Sequence, residues 1–540
     1  MLIYGLSGPQ SCKPRNNGKR AVAAERDSEY NRSGLDLEYA TRPLIDVGTN
    51  GDRTAPFDYR NASPPTESHA FQKQSAKRHF GVHGYFTKQV WSVVQSYIGT
   101  FTQPGDVVLD PFGGSGVTAI EALVMGRNAI HVDLNPLPNF IVETLLMPVD
   151  FETLELRFNE VLRGFTQQRP QSALDVERIL DTYSYPKNVQ LPRNSDVTVV
   201  SELFSKKQLA ELALLKHLIK QTSDTAVRCH LLLMFSGLLN KINLTYHASA
   251  GRSEGRGDSS MFRYYRYRLA HESPDLEITK VLQSRLKKVL AAKYELLPVT
   301  SRTMGTTGDV RSGSATDLFW IEDESVDYIY TDPPYGSKIP YLDLSTMWNA
   351  WLDLPVTRQD HTLEVIEGGE ARKSRADYSE LLAQSIHEMY RVLKSDHWLS
   401  FAFSHSDPAL WSFIVNTAER FGFEYVSVTR QNNGQSSFKK RQHPFSVLTG
   451  QLILNFRKGR SKRAVRATNR QMDTHKVILA TITSVIEQSD GATIEHINDA
   501  LVILGLESGL LETLSREYSD LTLILRKNFA FDKDGRWRLM

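Results

Sequence analysis

Val107 to Ala122 constrains the fold most. Val107-Val108-Leu109-Asp110 is a short apolar run closed by an acid, and Pro111-Phe112-Gly113-Gly114-Ser115-Gly116 is a glycine-rich turn. Val117 to Ala122 then opens a helix. Arg127-Asn128-Ala129-Ile130-His131-Val132-Asp133 follows as a second strand that also ends in an acid. Two strands with a helix between them predict a parallel pair in an α/β sheet. The glycines permit unusual φ values and close approach of a ligand. The helix start offers free N–H groups, and an acid at the end of the second strand suits ribose hydroxyls. The turn lacks the G-x-G-x-x-G spacing of dinucleotide folds.

A second strand-and-tip unit lies far downstream. Ser325 to Tyr330 reads as a buried strand, and Thr331-Asp332-Pro333-Pro334-Tyr335-Gly336 ends it, because two prolines cannot continue a ladder. An exocyclic amino group on a base is a poor nucleophile, its lone pair being delocalised into the ring. Asp332 and the Pro333 carbonyl would accept its hydrogens, and Tyr335 would stack on the base face. The plainer alternative for the same residues is a proline turn after a core strand.

Turn, acid and proline tip together resemble the DNA amino-methyltransferases specific for adenine N6 or cytosine N4. That resemblance covers roughly residues 78–150 and 300–458. It implies a Rossmann-like methyltransferase fold with S-adenosylmethionine as cofactor, and Asp332, Pro333, Pro334 and Tyr335 as the catalytic motif. It assigns Asp110, Pro111, Phe112, Gly114, Gly116, Asp133 and Asn135 to the cofactor. Val82 to Lys88 is similar to the family's segment that closes over the cofactor, which adds Phe86 and Thr87. Gly313 to Asp317 stands where the family places a turn beside the cofactor's adenine, which adds Ser314 and Ala315. There Asp317 has a second reading, as a cap for the following turn. An aspartate opening the motif goes more often with adenine, so adenine N6 is the expected target and cytosine N4 the alternative. The order of motifs, with a large insertion before the adenine turn, departs from the subclass it otherwise resembles. Two further alternatives are a tRNA guanine-N2 methyltransferase and an inactive DNA-binding regulator on the same fold.

Composition sets the outer limits. The chain has 540 residues, which predicts two or three domains. Net charge is +2, so DNA binding must rest on local basic clusters rather than a global field. Cys12 and Cys229 are the only cysteines, which excludes a disulfide framework and suits a reducing cytoplasm. Met1 to Lys13 has no signal-peptide pattern, and the longest apolar run, Leu231 to Leu239, is too short for a bilayer. The histidines show no metal-binding spacing, so no metal is expected. The expected location is therefore the cytoplasm, at the nucleoid.

Residues 1–77 read as an irregular N-terminal arm, rich in Gly, Arg, Asn, Ser and Pro. Gln89 to Ile98 reads as a short helix. Residues 151–299 read as a helical insertion and candidate target-recognition domain, with a capping box at Ser205 to Gln208 and a buried helix from Thr225 to Leu244. Within it, Arg252 and Arg256 lie in a glycine-rich loop, and Phe262-Arg263-Tyr264-Tyr265-Arg266-Tyr267-Arg268 interleaves arginine with aromatics. That pattern suits phosphate contacts with base stacking, and makes Arg263, Arg266 and Arg268 candidates. The alternative is a basic strand with its tyrosines on the core. Phe423 to Thr429 and Gln451 to Phe456 read as a closing antiparallel pair, whose loop holds Lys440 and Phe445 as further nucleic-acid candidates. Residues 471–540 read as helices followed by a hairpin of Leu521 to Leu525 and Phe529 to Leu539, a winged-helix-like tail. Double-stranded DNA is the expected partner, with room for a restriction or phage-defence protein and no membrane.

Overall fold

The structure, a computed structural model, describes residues 57–65, 77–248, 257–301, 305–337, 339–405, 407–432, 450–459, 474–511, 513–514 and 521–540. Its strands in chain order are β1 (Val107–Asp110), β2 (Asn128–Asp133), β3 (Tyr246–Ala248), β4 (Gly257–Ser259), β5 (Gly308–Ser312) and β6 (Val326–Thr331). They continue as β7 (Leu393–Phe403), β8 (Phe423–Asn432), β9 (Gly450–Lys458), β10 (Ala530–Phe531) and β11 (Trp537–Arg538). Seven of them form one sheet in the order β5-β2-β1-β6-β7-β9-β8. The first five in that order are parallel, and β9 runs antiparallel to both β7 and β8. This is the expected Rossmann-like methyltransferase fold with its closing antiparallel pair.

Alternation along the central strands explains why helices cover both faces. Val108, Tyr328 and Tyr330 enter one core with Val94, Ile98 and Phe101 of the helix Trp91–Phe101. Their neighbours Leu109 and Ile329 enter the other, with Leu382 and Ile386 of the helix Arg375–Val392 and Ile414 of the helix Pro408–Phe421. A strand buried on both sides is the form a parallel sheet requires. β1 and β6 are neighbours, yet the chain leaves β1 towards β2 and leaves β6 towards β7. That reversal opens a crevice at their carboxyl ends, where Asp110 and Asp332 stand.

The insertion does not build a core of its own. Leu154, Phe158, Leu212, Leu233 and Phe235 belong to the same continuous cluster as Val108 and Tyr330. The capping box at Ser205 forms, with Gln208 N–H donating to Ser205 Oγ and Ser205 N–H to Gln208 Oε1. The buried helix is shorter than its apolar run suggests, Thr225–Leu239 rather than Thr225 to Leu244. Asn243 ends it: Nδ2 donates to the Leu239 carbonyl, while Oδ1 accepts from Thr245 N–H. The insertion also contains the small β3–β4 hairpin. The first helix starts at Trp91 rather than Gln89, which leaves the Gln89 amide outside the helix, reaching Asp332.

The C-terminal part corrects one expectation. Leu521 to Leu525 is no strand but the start of a helix, Leu521–Asn528. Leu525 and Phe529, one helical turn apart, are both buried in the small core with Ile478, Ile482 and Trp537. The hairpin is confined to β10 and β11, around Gly535 at φ +78, and a bridge joins Trp537 to Ala492. Among the described residues no helix is long and apolar enough to cross a membrane, and no His/Cys/Asp/Glu group has metal-binding geometry.

Candidate active site

Asp110 braces the two halves of the crevice. Its Oδ2 accepts from Thr118 Oγ1 at 2.7 Å, in the helix after the glycine turn. Its Oδ1 accepts from Thr331 Oγ1 at 2.8 Å and from Phe112 N–H at 3.1 Å. Thr331 directly precedes Asp332, so one buried carboxylate ties the glycine turn to the proline tip. Burial pushes Asp110 up to about 6, against the pull of those hydrogen bonds.

The glycine turn is shaped by contact as much as by φ. A Cβ at Gly113 would lie 2.2 Å from His131 Nδ1. His131 is fully buried in β2, and burial drives it down to about 4, so the ring is neutral. Gly116 has φ +79, and a Cβ there would meet Val142 at 2.4 Å. Gly114, at φ +48, takes up an acid: its N–H donates to Asp133 Oδ2 at 2.8 Å. Asn135 N–H donates to Asp133 Oδ1, also at 2.8 Å. Burial raises Asp133 to about 7.

These groups line one pocket. Phe86, Thr87, Asp110, Pro111, Phe112, Gly114, Asp133, Asn135, Ser314, Ala315, Asp332 and Pro334 all stand on its wall. Gly116 caps the helix beneath the turn, and Pro333 and Tyr335 lie off the wall. Asn135 is largely committed to the scaffold: its side chain accepts from Leu137 N–H and donates to Ser345 Oγ. Thr87 holds φ 44, unusual for a β-branched residue, and its Oγ1 hydrogen-bonds the Tyr341 hydroxyl at 3.0 Å. Asp317 accepts from Phe319 N–H, as a turn cap would.

The acid at the tip is held by amides. Gln89 Nε2 and the Tyr335 hydroxyl both donate to Asp332, and Gln451 Nε2 donates to Asp332 Oδ1 at 2.8 Å. Tyr335 also turns its ring edge to Phe403, with ring centres 5.2 Å apart. Burial and the neighbouring Asp332 raise its hydroxyl well above the ordinary tyrosine value, so it stays a donor. Behind the tip, the Tyr378 hydroxyl donates to the Pro334 carbonyl at 2.8 Å.

Among the described residues, the wall carries Asp110, Asp133, Asp332 and Glu364, and no Lys, Arg or His. Such a lining fits a ligand with cationic centres and hydroxyl donors. Residues 53–137 match the family model described as DNA methylase. The type II methyltransferase M.MjaII of Methanocaldococcus jannaschii is 20% identical over 384 residues, covering 60% of this chain and 72% of its own length. The type II methyltransferase M.MvaI of Kocuria varians is 21% identical over 277 residues, 49% of this chain and 55% of its own length.

The chain is similar to the DNA amino-methyltransferases.

Three groups at this site escape a reading of the sequence. Gln89 and Gln451 meet Asp332 from 243 and 119 residues away. Glu364 is buried, accepts from Leu342 N–H at 3.0 Å, and is pushed up by burial. No local pattern marks any of them. Among the basic candidates, Arg263 and Arg268 flank the Tyr264 ring at 5.3 and 5.8 Å, and Arg266 pairs with Asp196 at 3.6 Å. Their segment opens with a short helix, Ser260–Tyr264, rather than forming a strand. Tyr267 is core: its hydroxyl donates to the Leu344 carbonyl and accepts from Met347 N–H. Arg252, Arg256, Lys440 and Phe445 lie outside the described residues.

Proposed function

We propose that this protein transfers a methyl group from S-adenosylmethionine to N6 of an adenine extruded from double-stranded DNA. The observation that carries this reading is the acid-lined pocket, in which the glycine turn at β1 and Asp332 at β6 share one wall. When bound, S-adenosylmethionine supplies an activated methyl group on a cationic sulfur. Asp133 would hold the ribose, Ser314 and Ala315 would lie by the adenine ring, and the glycine turn would let the backbone approach. The acidic lining suits the cationic centres of that molecule.

The chain's own residues supply positioning and charge. Asp332 accepts one hydrogen of the target amino group, and the Pro333 carbonyl is offered to the other. Drawing both hydrogens out of the ring plane frees the nitrogen lone pair. Asp332 then offsets the positive charge that develops on nitrogen. Gln89, Gln451 and Tyr335 fix the carboxylate, so little reorganisation is needed during transfer. Extruding the base costs a few kcal/mol. In this reading residues 151–299 recognise the DNA, with Arg263, Arg266 and Arg268 on the duplex. A restriction or phage-defence partner belongs to the same reading.

Asp332→Ala tests the mechanism. Its calorimetric affinity for S-adenosylmethionine is expected to stay within about threefold of wild type. Tritiated methyl transfer to unmethylated genomic DNA is expected to fall by roughly a thousandfold, the scale for removing a group that acts in the transition state. Wild-type turnover in the variant would overturn the role given to Asp332.

A further inference from the structure

One buried amide on β8 has no partner among the described residues. Gln431 is 3% exposed, and both its Nε2 and its Oε1 lack a hydrogen bond. An orphaned amide in a native interior calls for an explanation, and a ligand group is one. Strand pairing sets its place: Gln431 stands directly opposite Gln451 in the β8–β9 ladder. Paired residues share a face with Cβ atoms about 5 Å apart, and Gln451 Nε2 is 2.8 Å from Asp332 Oδ1. Gln89, on the other side of Asp332, likewise has an unpartnered buried Oε1.

We infer that Gln431 reads the edge of the extruded base next to its amino group. This rests on the methyltransferase reading above. Adenine and cytosine share one pattern there, an amino donor beside a bare ring nitrogen, N1 or N3. Gln431 Nε2 donates to that ring nitrogen, and its Oε1 shares the second amino hydrogen with the Pro333 carbonyl. Guanine and thymine present a carbonyl and a ring N–H instead. Asp332, an acceptor, cannot be satisfied by that carbonyl, and with Asp332 fixed the amide cannot profitably turn round. Amino-bearing bases are thereby selected without reference to ring size.

The test is a double-mutant cycle between protein and base. A synthetic duplex carries the methylated motif, with adenine or 1-deazaadenine at the target; 3-deazacytosine takes that place if the product is N4-methylcytosine. Wild type is expected to lose about ten- to a hundredfold in kcat/KM on the deaza duplex, the scale for one buried hydrogen bond in base discrimination. Gln431→Met, similar in length but without an amide, should lose as much on the natural duplex and little more on the deaza one. If the deaza substitution costs Gln431→Met as much as it costs wild type, Gln431 does not read the ring nitrogen. Should Gln431→Met fail to fold, Gln431→Glu serves, since it keeps the shape and removes the donor. Absence of transfer by wild type to the natural duplex would instead overturn the methyltransferase reading.

Discussion

Asp133 shows how one carboxylate serves both turn and pocket. Each oxygen already accepts a backbone N–H, from Gly114 and from Asn135. In the proposed role, ribose hydroxyls would use the remaining lone pairs, which requires the ionised form. Burial sets its proton loss near about 7. Below that pH a proton must leave before the cofactor binds, so affinity should rise as pH increases from 5.5 to 8, by roughly tenfold per unit on the acid side. Calorimetry at three pH values checks this, and Asp133→Asn should flatten the profile. Asp133→Ala should weaken binding by about 1–3 kcal/mol, the range for unpairing buried donors. A flat wild-type profile would remove Asp133 from the cofactor site.

At the scale of elements, the strand–turn–helix at Val107–Val124 and the tip after β6 were legible because local chemistry decides them. Glycine, proline and apolar alternation act over a few residues, and so does the cap at Ser205. At Leu521 to Leu525 a run of Leu, Thr and Ile favours a strand locally, whereas the chain forms the helix Leu521–Asn528 there and packs Leu525 into the small C-terminal core. Gln451 and Gln431 were not legible, since their meaning comes from which strands pair, and neither was Gln89, which meets Asp332 across 243 residues of chain. Nor did the sequence reveal why Gly113 is glycine. Its φ is unremarkable, but His131 of the neighbouring strand fills the space. Gly113→Ala should therefore destabilise by about 1–3 kcal/mol, the usual penalty for overpacking. It should also lower the apparent melting temperature. Pairing it with His131→Ala should recover part of the loss, and the lack of any recovery would show that the contact does not set the turn.

Across the whole molecule, the insertion is tied to the helix that follows the catalytic tip. Tyr267 pins the basic segment to the helix Tyr341–Leu352, which follows the tip. The C-terminal helices dock on the far edge of the sheet, where Arg430 pairs with the buried Asp499 at 2.9 Å. A net charge of +2 gives little long-range attraction, so the proposed DNA binding would rest on local basic residues. Replacing Arg263, Arg266 and Arg268 together by alanine should weaken DNA binding. The slope of log affinity against log salt should fall by about one for each phosphate that is no longer neutralised. An unchanged slope would make that segment structural. The central claim, methyl transfer to an adenine amino group, is tested most directly by nucleoside mass spectrometry of unmethylated DNA incubated with the protein and trideuteromethyl-labelled S-adenosylmethionine. The expected result is labelled N6-methyladenine; labelled N4-methylcytosine in its place would contradict the assigned atom, and no labelled nucleoside at all would contradict the function.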